Sequence, residues 1–151
     1  MKNIFLCLLI VFITLLAAGC QFNDNDSPQR IDEIPELTVI IREQSYTVNH
    51  GGYYLERRGS VEQTDAASPN QIAEDFIPFP AKKTDEIKFS ISGNPETTVY
   101  KWGKSEPIGT VEHDGQIISL DEEIGDVIYE IVAEWKNAEA SYTFVVSVRG
   151  K

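Results

Sequence analysis

Apolar and polar residues alternate along most of the chain beyond residue 36. In segment 87–92 three apolar residues alternate with one lysine and two serines, and segments 127–135 and 142–148 keep this period over longer runs. Successive side chains of a β-strand point to opposite faces, so a period of two indicates strands with one buried face. The predicted strands lie at 37–41, 46–48, 53–55, 87–91, 99–102, 108–111, 117–118, 127–135 and 142–148.

Turn-forming residues separate these segments. Glycine, asparagine, aspartate, proline and serine cluster at 49–52, 58–60, 93–95 and 114–115. Such residues favour the backbone conformations of tight turns. Short strands with turns at this spacing predict an all-β fold, an antiparallel β-sandwich of about seven to eight strands.

The last two predicted strands form a long hairpin. Residues 126–136 and 139–149 alternate in phase on either side of a turn at Asn137-Ala138. Their inward side chains are expected to anchor the core, because burial of one large apolar side chain contributes ~1.5–3 kcal/mol. The expected anchors are Tyr129, Ile131, Trp135, Phe144 and Val146.

A long connection, residues 59–84, interrupts the strand pattern. It contains the best helical segment of the chain, Asn70–Phe76, and an apolar, proline-stiffened stretch, 76–80. Connections of this length are unusual in compact domains and are often functional. We expect it to cross between the sheets. For residues 76–80, covering a sheet edge is favoured over forming a partner-binding loop.

Two groups of residues are candidates for a protein interface. Arg57-Arg58 is a basic pair on an acidic chain and follows Tyr53-Tyr54 closely. Arginine and aromatic residues are enriched at interfaces, although a strand-end role for Arg58 and a core role for Tyr53 are favoured. The possible interface residues are Tyr53, Tyr54, Arg57, Arg58, Phe76 and Phe79.

The N-terminus begins with an apolar run that ends in small residues. Ile4–Ala18 is apolar apart from Thr14, and Gly19-Cys20 follows directly. This run is shorter than the ~20 residues that span a bilayer, and it is typical of a signal peptide. We predict a signal peptide at 1–19, a flexible linker at 20–36 and the sandwich domain at 37–151. A plain signal peptide with a chance cysteine and an uncleaved anchor are the alternatives.

Residues 15–20, Leu-Leu-Ala-Ala-Gly-Cys, resemble the cleavage site of bacterial lipoprotein signal sequences. The resemblance implies a diacylglyceryl thioether on Cys20, with cleavage before that residue. The diacylglyceryl group carries two acyl chains, and acylation of the new amino terminus would add a third. Two or more chains hold a bilayer stably. The expected product is anchored to the lipid bilayer through Cys20, on the extracytoplasmic face of the cell membrane.

Charge and cysteine content narrow the functional classes. Loss of residues 1–19 removes one charge, Lys2, so the formal net charge changes from −11 to −12. Such acidity argues against nucleic-acid binding, which requires clustered lysine and arginine. Cys7, the other cysteine, is removed with the signal peptide. The mature domain is therefore expected to fold without a disulfide and to have no free thiol for catalysis.

Residues suited to catalysis or metal binding are sparse. His50 and His113 each lie next to turn glycines, and no Gly-x-Ser-x-Gly or His-Glu-x-x-His motif is present. The acidic run 121–123 is compatible with a surface calcium site, but solvated charge is the favoured interpretation. We expect no catalytic residue, metal or cofactor.

The region 37–148 resembles a group of small lipoproteins of Gram-positive bacteria with an immunoglobulin-like domain. The matching stretches are 51–55, 64–69 and 125–144. The group carries Gly-x-Tyr-Cys-Trp and a second cysteine before an aspartate, and Tyr54 and Thr64 stand at those cysteine positions here. The resemblance implies an immunoglobulin-like fold, a lost disulfide and a location, but no activity.

These observations favour a membrane-tethered, non-enzymatic binding or accessory domain, with an unknown protein, peptide or cell-wall fragment as ligand. An inhibitor or regulator of an extracytoplasmic enzyme, acting through residues 59–84, is the alternative. An enzyme is the third hypothesis, and it requires a pocket that brings His50 or His113 together with a hydroxyl and a carboxylate.

Overall fold

The computed structural model describes residues 27–120 and 124–150, which form eleven strands and one short helix. Cys20 and the predicted signal peptide lie outside the described residues. The elements are β1 Leu37–Ile41, β2 Gln44–Val48, β3 Tyr53–Arg57, β4 Ser60–Thr64, α1 Pro69–Glu74, β5 Phe79–Lys82, β6 Glu86–Ser90, β7 Glu96–Trp102, β8 Pro107–Thr110, β9 Ile117–Ser119, β10 Gly125–Trp135 and β11 Ala138–Arg149.

Two sheets form the predicted β-sandwich. The first has the strand order β2-β1-β6-β9, and the second has the order β4-β3-β11-β10-β7-β8, with β5 also paired to β11. Every pairing is antiparallel except that of β5 with β11. The all-β sandwich is confirmed, and its strands are more numerous than the seven or eight expected.

The core lies between the inward faces of the two sheets. All five expected anchors of the long hairpin are buried, and Tyr129, Ile131, Phe144 and Val146 have no exposed surface. From the first sheet, Leu37, Val39 and Ile87 are buried at the same two-residue period. The alternating pattern in the sequence therefore identified the core correctly.

The β10–β11 hairpin turns at Lys136-Asn137, one residue earlier than expected. The side chain of Asn137 is buried and makes three hydrogen bonds. Its Oδ1 accepts from the Ile31 N–H at 2.9 Å, and its Nδ2 donates to the carbonyls of Ile31 at 2.9 Å and Glu56 at 2.8 Å. This turn thus binds both β3 and the segment that precedes β1.

The described end of the predicted linker lies against the sandwich. The Gln29 N–H donates to the Gly93 carbonyl, and the Gln29 carbonyl accepts from the Lys136 N–H. Further along, the Tyr142 hydroxyl donates to the Pro35 carbonyl at 2.6 Å. These bonds satisfy backbone polar groups that a solvated linker would leave to water. Residues 29–35 are therefore part of the folded domain, unlike the flexible linker expected there.

Gly93 allows this docking because it lacks a side chain. Its φ is +82°, a conformation that glycine adopts without steric cost. A Cβ at this position would lie 2.7 Å from both Ile31 Cγ2 and Trp135 Nε1. The indole of Trp135 donates to the Ser92 carbonyl at 2.9 Å, which fixes the ring over this turn.

The connection 59–84 is structured rather than a long loop. It contains β4, α1 and β5, and α1 begins one residue before the predicted helix. Ser68 is the N-cap residue of α1, and the Gln71 side chain folds back so that its Oε1 accepts from the Ser68 backbone N–H at 3.1 Å. Strand β5 pairs with the edge of β11, which confirms the expectation that residues around Phe79 cover a sheet edge.

Residues 54 and 64 lie on neighbouring strands, yet their side chains point to opposite faces. Thr64 pairs with Tyr53, whereas Tyr54 pairs with Gln63. Because side chains alternate along a strand, the side chains of Tyr54 and Thr64 diverge. A disulfide between these two positions does not fit this register, so the lost disulfide implied by the resemblance has no geometric basis here.

Among the described residues, no helix has the length and hydrophobicity required to cross a bilayer.

Candidate functional site

The candidate site lies where one edge of β11 has no strand beside it. On this side, residues 138–140 pair with β3, and Ser141 exchanges hydrogen bonds with Gly51 and Gly52. Pairing resumes at Val146 with β5. Helix α1 contacts β11 and β10, and its Ile72 lines the same cavity as Thr143 of β11. A cleft remains between the helix, the β2–β3 connection and the strand.

We call this space the helix cleft. Its volume is about 460 Å3, and its lining includes Val48, His50, Ala66, Ile72, Phe76 and Thr143. Val48 and Thr143 are buried, Ile72 and Phe76 are half-buried, and the remaining two are exposed. The cleft therefore has a buried floor, apolar walls and an open rim. This volume lies within the ~300–1,000 Å3 range of small-ligand sites.

Thr143 is the unusual residue of the helix cleft. Its neighbours Tyr142 and Phe144 point into the core, so the Thr143 side chain points to the outer face of the sheet, where a polar side chain ordinarily meets water. Instead it is 4% exposed, and its Oγ1 has no hydrogen-bond partner among the described residues. An unpaired buried hydroxyl costs ~1–3 kcal/mol. The Oγ1 atom has essentially no accessible surface, so this cost is borne within the fold.

Aromatic contacts hold the wall of the cleft in place. The Phe76 ring lies edge to face on Phe79, with ring centroids 5.1 Å apart. Phe79 in turn stacks on Tyr46 at 4.1 Å and on Phe144 at 6.2 Å. Such ring pairs contribute stability beyond their buried area. The wall is therefore connected to the hydrophobic core of the sandwich.

His50 stands at the rim of the cleft. Its ring lies edge to face against Tyr53 at 4.9 Å, and its Nδ1 is 3.2 Å from the Gly51 carbonyl oxygen. The cleft lining contains no carboxylate. The combination of histidine, hydroxyl and carboxylate that a hydrolytic site requires is thus not assembled around His50.

The six predicted interface residues fall into two places. Tyr53, Tyr54 and Arg57 lie on β3, and Arg58 lies in the turn that follows. Tyr54 is 39% exposed. Arg57 is occupied by other contacts, since its Nε donates to the Asp32 carbonyl and its Nη1 pairs with Glu62 at 2.8 Å. Arg57 is therefore already paired within the chain, while Tyr54 on β3 and Arg58 in the following turn are exposed.

Phe76 and Phe79 have different roles. Phe76 is half-buried and lines the helix cleft. Phe79 is buried at 9% exposure and belongs to the core, so it does not offer a surface to a partner. Tyr53 reaches the site indirectly, through its contact with His50 at the rim.

A second cleft, of about 600 Å3, lies beside His113 at the start of β7. Both ring nitrogens face backbone carbonyls, with Nδ1 2.7 Å from Gly115 O and Nε2 3.2 Å from Thr97 O. Phe89 packs edge to face against the same ring. The imidazole therefore joins the β8–β9 connection to β7. We favour the smaller helix cleft because its wall contains apolar side chains of the long 59–84 connection, among them the predicted interface residue Phe76.

Metal binding depends on whether several ligand side chains lie close together in the described part of the chain. No group of three or more His, Cys, Asp or Glu side chains among them is arranged to hold a metal ion. The acidic run 121–123 lies outside the described residues.

Comparison with protein-family models, with curated proteins and with solved structures gives no significant match.

Proposed function

We propose that this chain is a membrane-anchored extracytoplasmic lipoprotein whose sandwich is a non-enzymatic binding or accessory domain. The observation that carries the binding role is the open helix cleft of about 460 Å3, with the apolar side chains of Ile72 and Phe76 in its wall. A cleft of this size supplies apolar contact area for a ligand.

The anchor part of the proposal rests on residues 15–20 and their resemblance to bacterial lipoprotein cleavage sites. The resemblance of region 37–148 to lipoproteins with an immunoglobulin-like domain supports the same assignment. Lipid on Cys20 would attach the chain to the bilayer without a spanning segment.

The anchor is tested by metabolic labelling with a radioactive fatty acid. We expect Cys20→Ala to abolish labelling, because it removes the thiol that receives the lipid. Cys7→Ala is the matched control and should leave labelling unchanged, since Cys7 lies in the segment removed on processing. Labelling that persists in Cys20→Ala would refute the anchor.

The binding role is tested by capture of partners from the cell's own membranes with the full chain. Ile72→Asp places a charge on the apolar wall of the helix cleft, so we expect it to lose any specific partner that the wild type retains. Ile77→Asp makes the same chemical change in the same connection, at a side chain that is 84% exposed. Equal capture by both variants would show that the cleft is not the binding site.

The alternative is an inhibitor or regulator of an extracytoplasmic enzyme. One observation favours keeping it, since Ile72 and Phe76 on the cleft wall belong to the 59–84 connection. Recovery of an enzyme in the capture experiment, with loss in Ile72→Asp, would select this alternative.

A further inference from the structure

The connection between β8 and β9, residues 111–116, carries the chain from one sheet of the sandwich to the other. At its start, the Val111 N–H donates to the Val99 carbonyl of β7 at 2.8 Å. At its end, the Gln116 carbonyl accepts from the Phe89 N–H of β6 at 2.9 Å. Because β7 belongs to the second sheet and β6 to the first, this connection joins the two sheets along one side of the sandwich.

His113 lies in the middle of this connection, and both nitrogens of its ring face backbone carbonyl oxygens. Its Nδ1 is 2.7 Å from the Gly115 oxygen, and its Nε2 is 3.2 Å from the Thr97 oxygen at the start of β7. A neutral imidazole carries one N–H, so it can donate to only one of these oxygens, whereas the protonated ring can donate to both. The arrangement of the two carbonyls therefore matches the protonated form.

The charged side chains that line the two clefts beside His113 are all carboxylates. They are Glu96 on β7, Glu86 on β6, and Glu112 and Asp114 on the connection itself. Lys88 and Lys101, the basic residues of β6 and β7, line neither cleft. All four carboxylates are exposed, so they favour a positive charge on the ring only weakly. The two carbonyl contacts are therefore the main reason for protonation to matter here.

We propose that His113 is a pH-sensitive contact, in which protonation of the imidazole adds a second hydrogen bond and holds the β8–β9 connection against β7. Histidine changes its charge between about pH 5 and 8. At the low end of this range both bonds are present, and one is lost as the pH rises. The Nδ1 contact with Gly115 is the shorter, so the bond that is lost is the one to Thr97, which links the connection to β7.

Loss of this bond has a consequence for the core beneath the connection. The Phe89 ring packs edge to face against the imidazole, with ring centroids 5.8 Å apart. Phe89 and Ile91 are buried, and both line the second cleft beside His113. A connection held less firmly at high pH would open more often and expose these two apolar side chains to solvent.

The test is amide hydrogen exchange of the full chain in lipid nanodiscs, followed by NMR at pH 5.5 and pH 8.0. The amides of Val111 and Asp114 report on the connection, because both donate hydrogen bonds there. Rates are corrected for the pH dependence of exchange in an unstructured peptide. We expect the opening equilibrium constant to be about fivefold smaller at pH 5.5, because one hydrogen bond contributes ~1 kcal/mol.

Two variants assign this pH dependence to the ring of His113. His113→Gln cannot be protonated, so the fivefold change should disappear, while groups that titrate elsewhere act equally in both proteins. His50→Gln is the matched control and should retain the change, because the His50 ring has a carbonyl contact at Nδ1 alone. Equal pH dependence in the wild type and in His113→Gln would overturn the proposal.

A measurement on the wild type tests the same contact if His113→Gln does not fold. Ring N–H protons that are held in hydrogen bonds exchange slowly with water and give proton NMR signals. At pH 5.5 we expect signals from both Nδ1–H and Nε2–H of His113, with His50 as the internal comparison. Absence of the Nε2–H signal would refute the bond to Thr97 and with it the pH-sensitive contact.

Discussion

Glu130 lies on the outer face of the second sheet, and its surroundings there change the pKa of its carboxyl group. It lies opposite Tyr100 on β7 and Thr143 on β11. The Trp102 indole donates to its Oε2 at 2.8 Å. Burial raises the pKa of Glu130 above its ordinary value of 4.5, and the Trp102 hydrogen bond offsets part of that rise. The carboxylate is therefore more costly to ionise in the folded chain than in the unfolded chain.

This pKa shift predicts a pH dependence of stability. Between the ordinary value and the raised value, the folded state binds more protons than the unfolded state, so the free energy of unfolding falls as pH rises through that window. Glu130→Gln keeps an acceptor for Trp102 and cannot ionise. We expect the stability difference between variant and wild type to shift in favour of the variant as pH rises through the window and then level off.

Chemical denaturation at a series of pH values measures this difference. Glu134→Gln serves as the control, because Glu134 lies four residues along the same face of β10 and is exposed. A difference for Glu130→Gln that does not vary with pH would contradict the burial argument.

At the scale of elements, the β10–β11 turn connects parts of the chain that are distant in sequence. Asn137 bonds to Ile31 and Glu56 through its side chain, and its own carbonyl accepts from the Glu56 N–H at 2.8 Å. Asn137 therefore satisfies backbone polar groups of two other segments, in addition to connecting β10 to β11. Its side chain is buried because those segments close over it.

Loss of the Asn137 amide should therefore destabilise the whole domain. Asn137→Ala removes three hydrogen bonds and leaves backbone groups of Ile31 and Glu56 without partners. We expect a loss of about 2–3 kcal/mol in the free energy of unfolding, measured by urea denaturation. Lys136→Ala, in the same turn at an exposed position, should change it by less than ~0.5 kcal/mol. Similar effects of the two substitutions would argue against the hydrogen bonds as the cause.

The strands that the sequence predicts well are those with local alternation and a strong turn. Strands β6, β10 and β11 alternate clearly, and the predicted segments 87–91, 126–136 and 139–149 differ from them by at most one residue at either end. Strand β4, by contrast, has the sequence Ser-Val-Glu-Gln-Thr and little buried surface. Strand β5 contains a proline and pairs in parallel with a strand about 70 residues away along the chain. Neither has a local pattern that reveals its partner.

The helix cleft could not be predicted from the sequence, for a related reason. Alternation assigns Thr143 to the outer face of the sheet, where it would meet solvent. Its burial depends on α1, which folds over that face from a connection whose position the pattern does not determine. Phe76 was identified as a candidate because it is apolar and lies in that connection, but nothing in the pattern paired it with Thr143.

At the scale of the whole molecule, three acidic side chains lie side by side near the β10–β11 turn. Glu96, Glu134 and Glu139 lie directly opposite one another on three adjacent strands, and all are exposed. Like charges at such positions repel one another. This end of the sandwich therefore presents a negative surface, which is unsuited to contact with anionic lipid head groups.

The docking of residues 29–35 determines how far a lipid-anchored domain can travel. Gln29 is the first described residue whose backbone is hydrogen-bonded to the sandwich, beside the same turn. With lipid on Cys20, Gln29 follows the anchor by nine residues, and a fully extended chain of that length spans at most about 30 Å. The acidic end would then lie close to the bilayer and be repelled by its anionic head groups. The sandwich would therefore stay within about one domain diameter of the membrane surface. Binding partners would have to come to that layer.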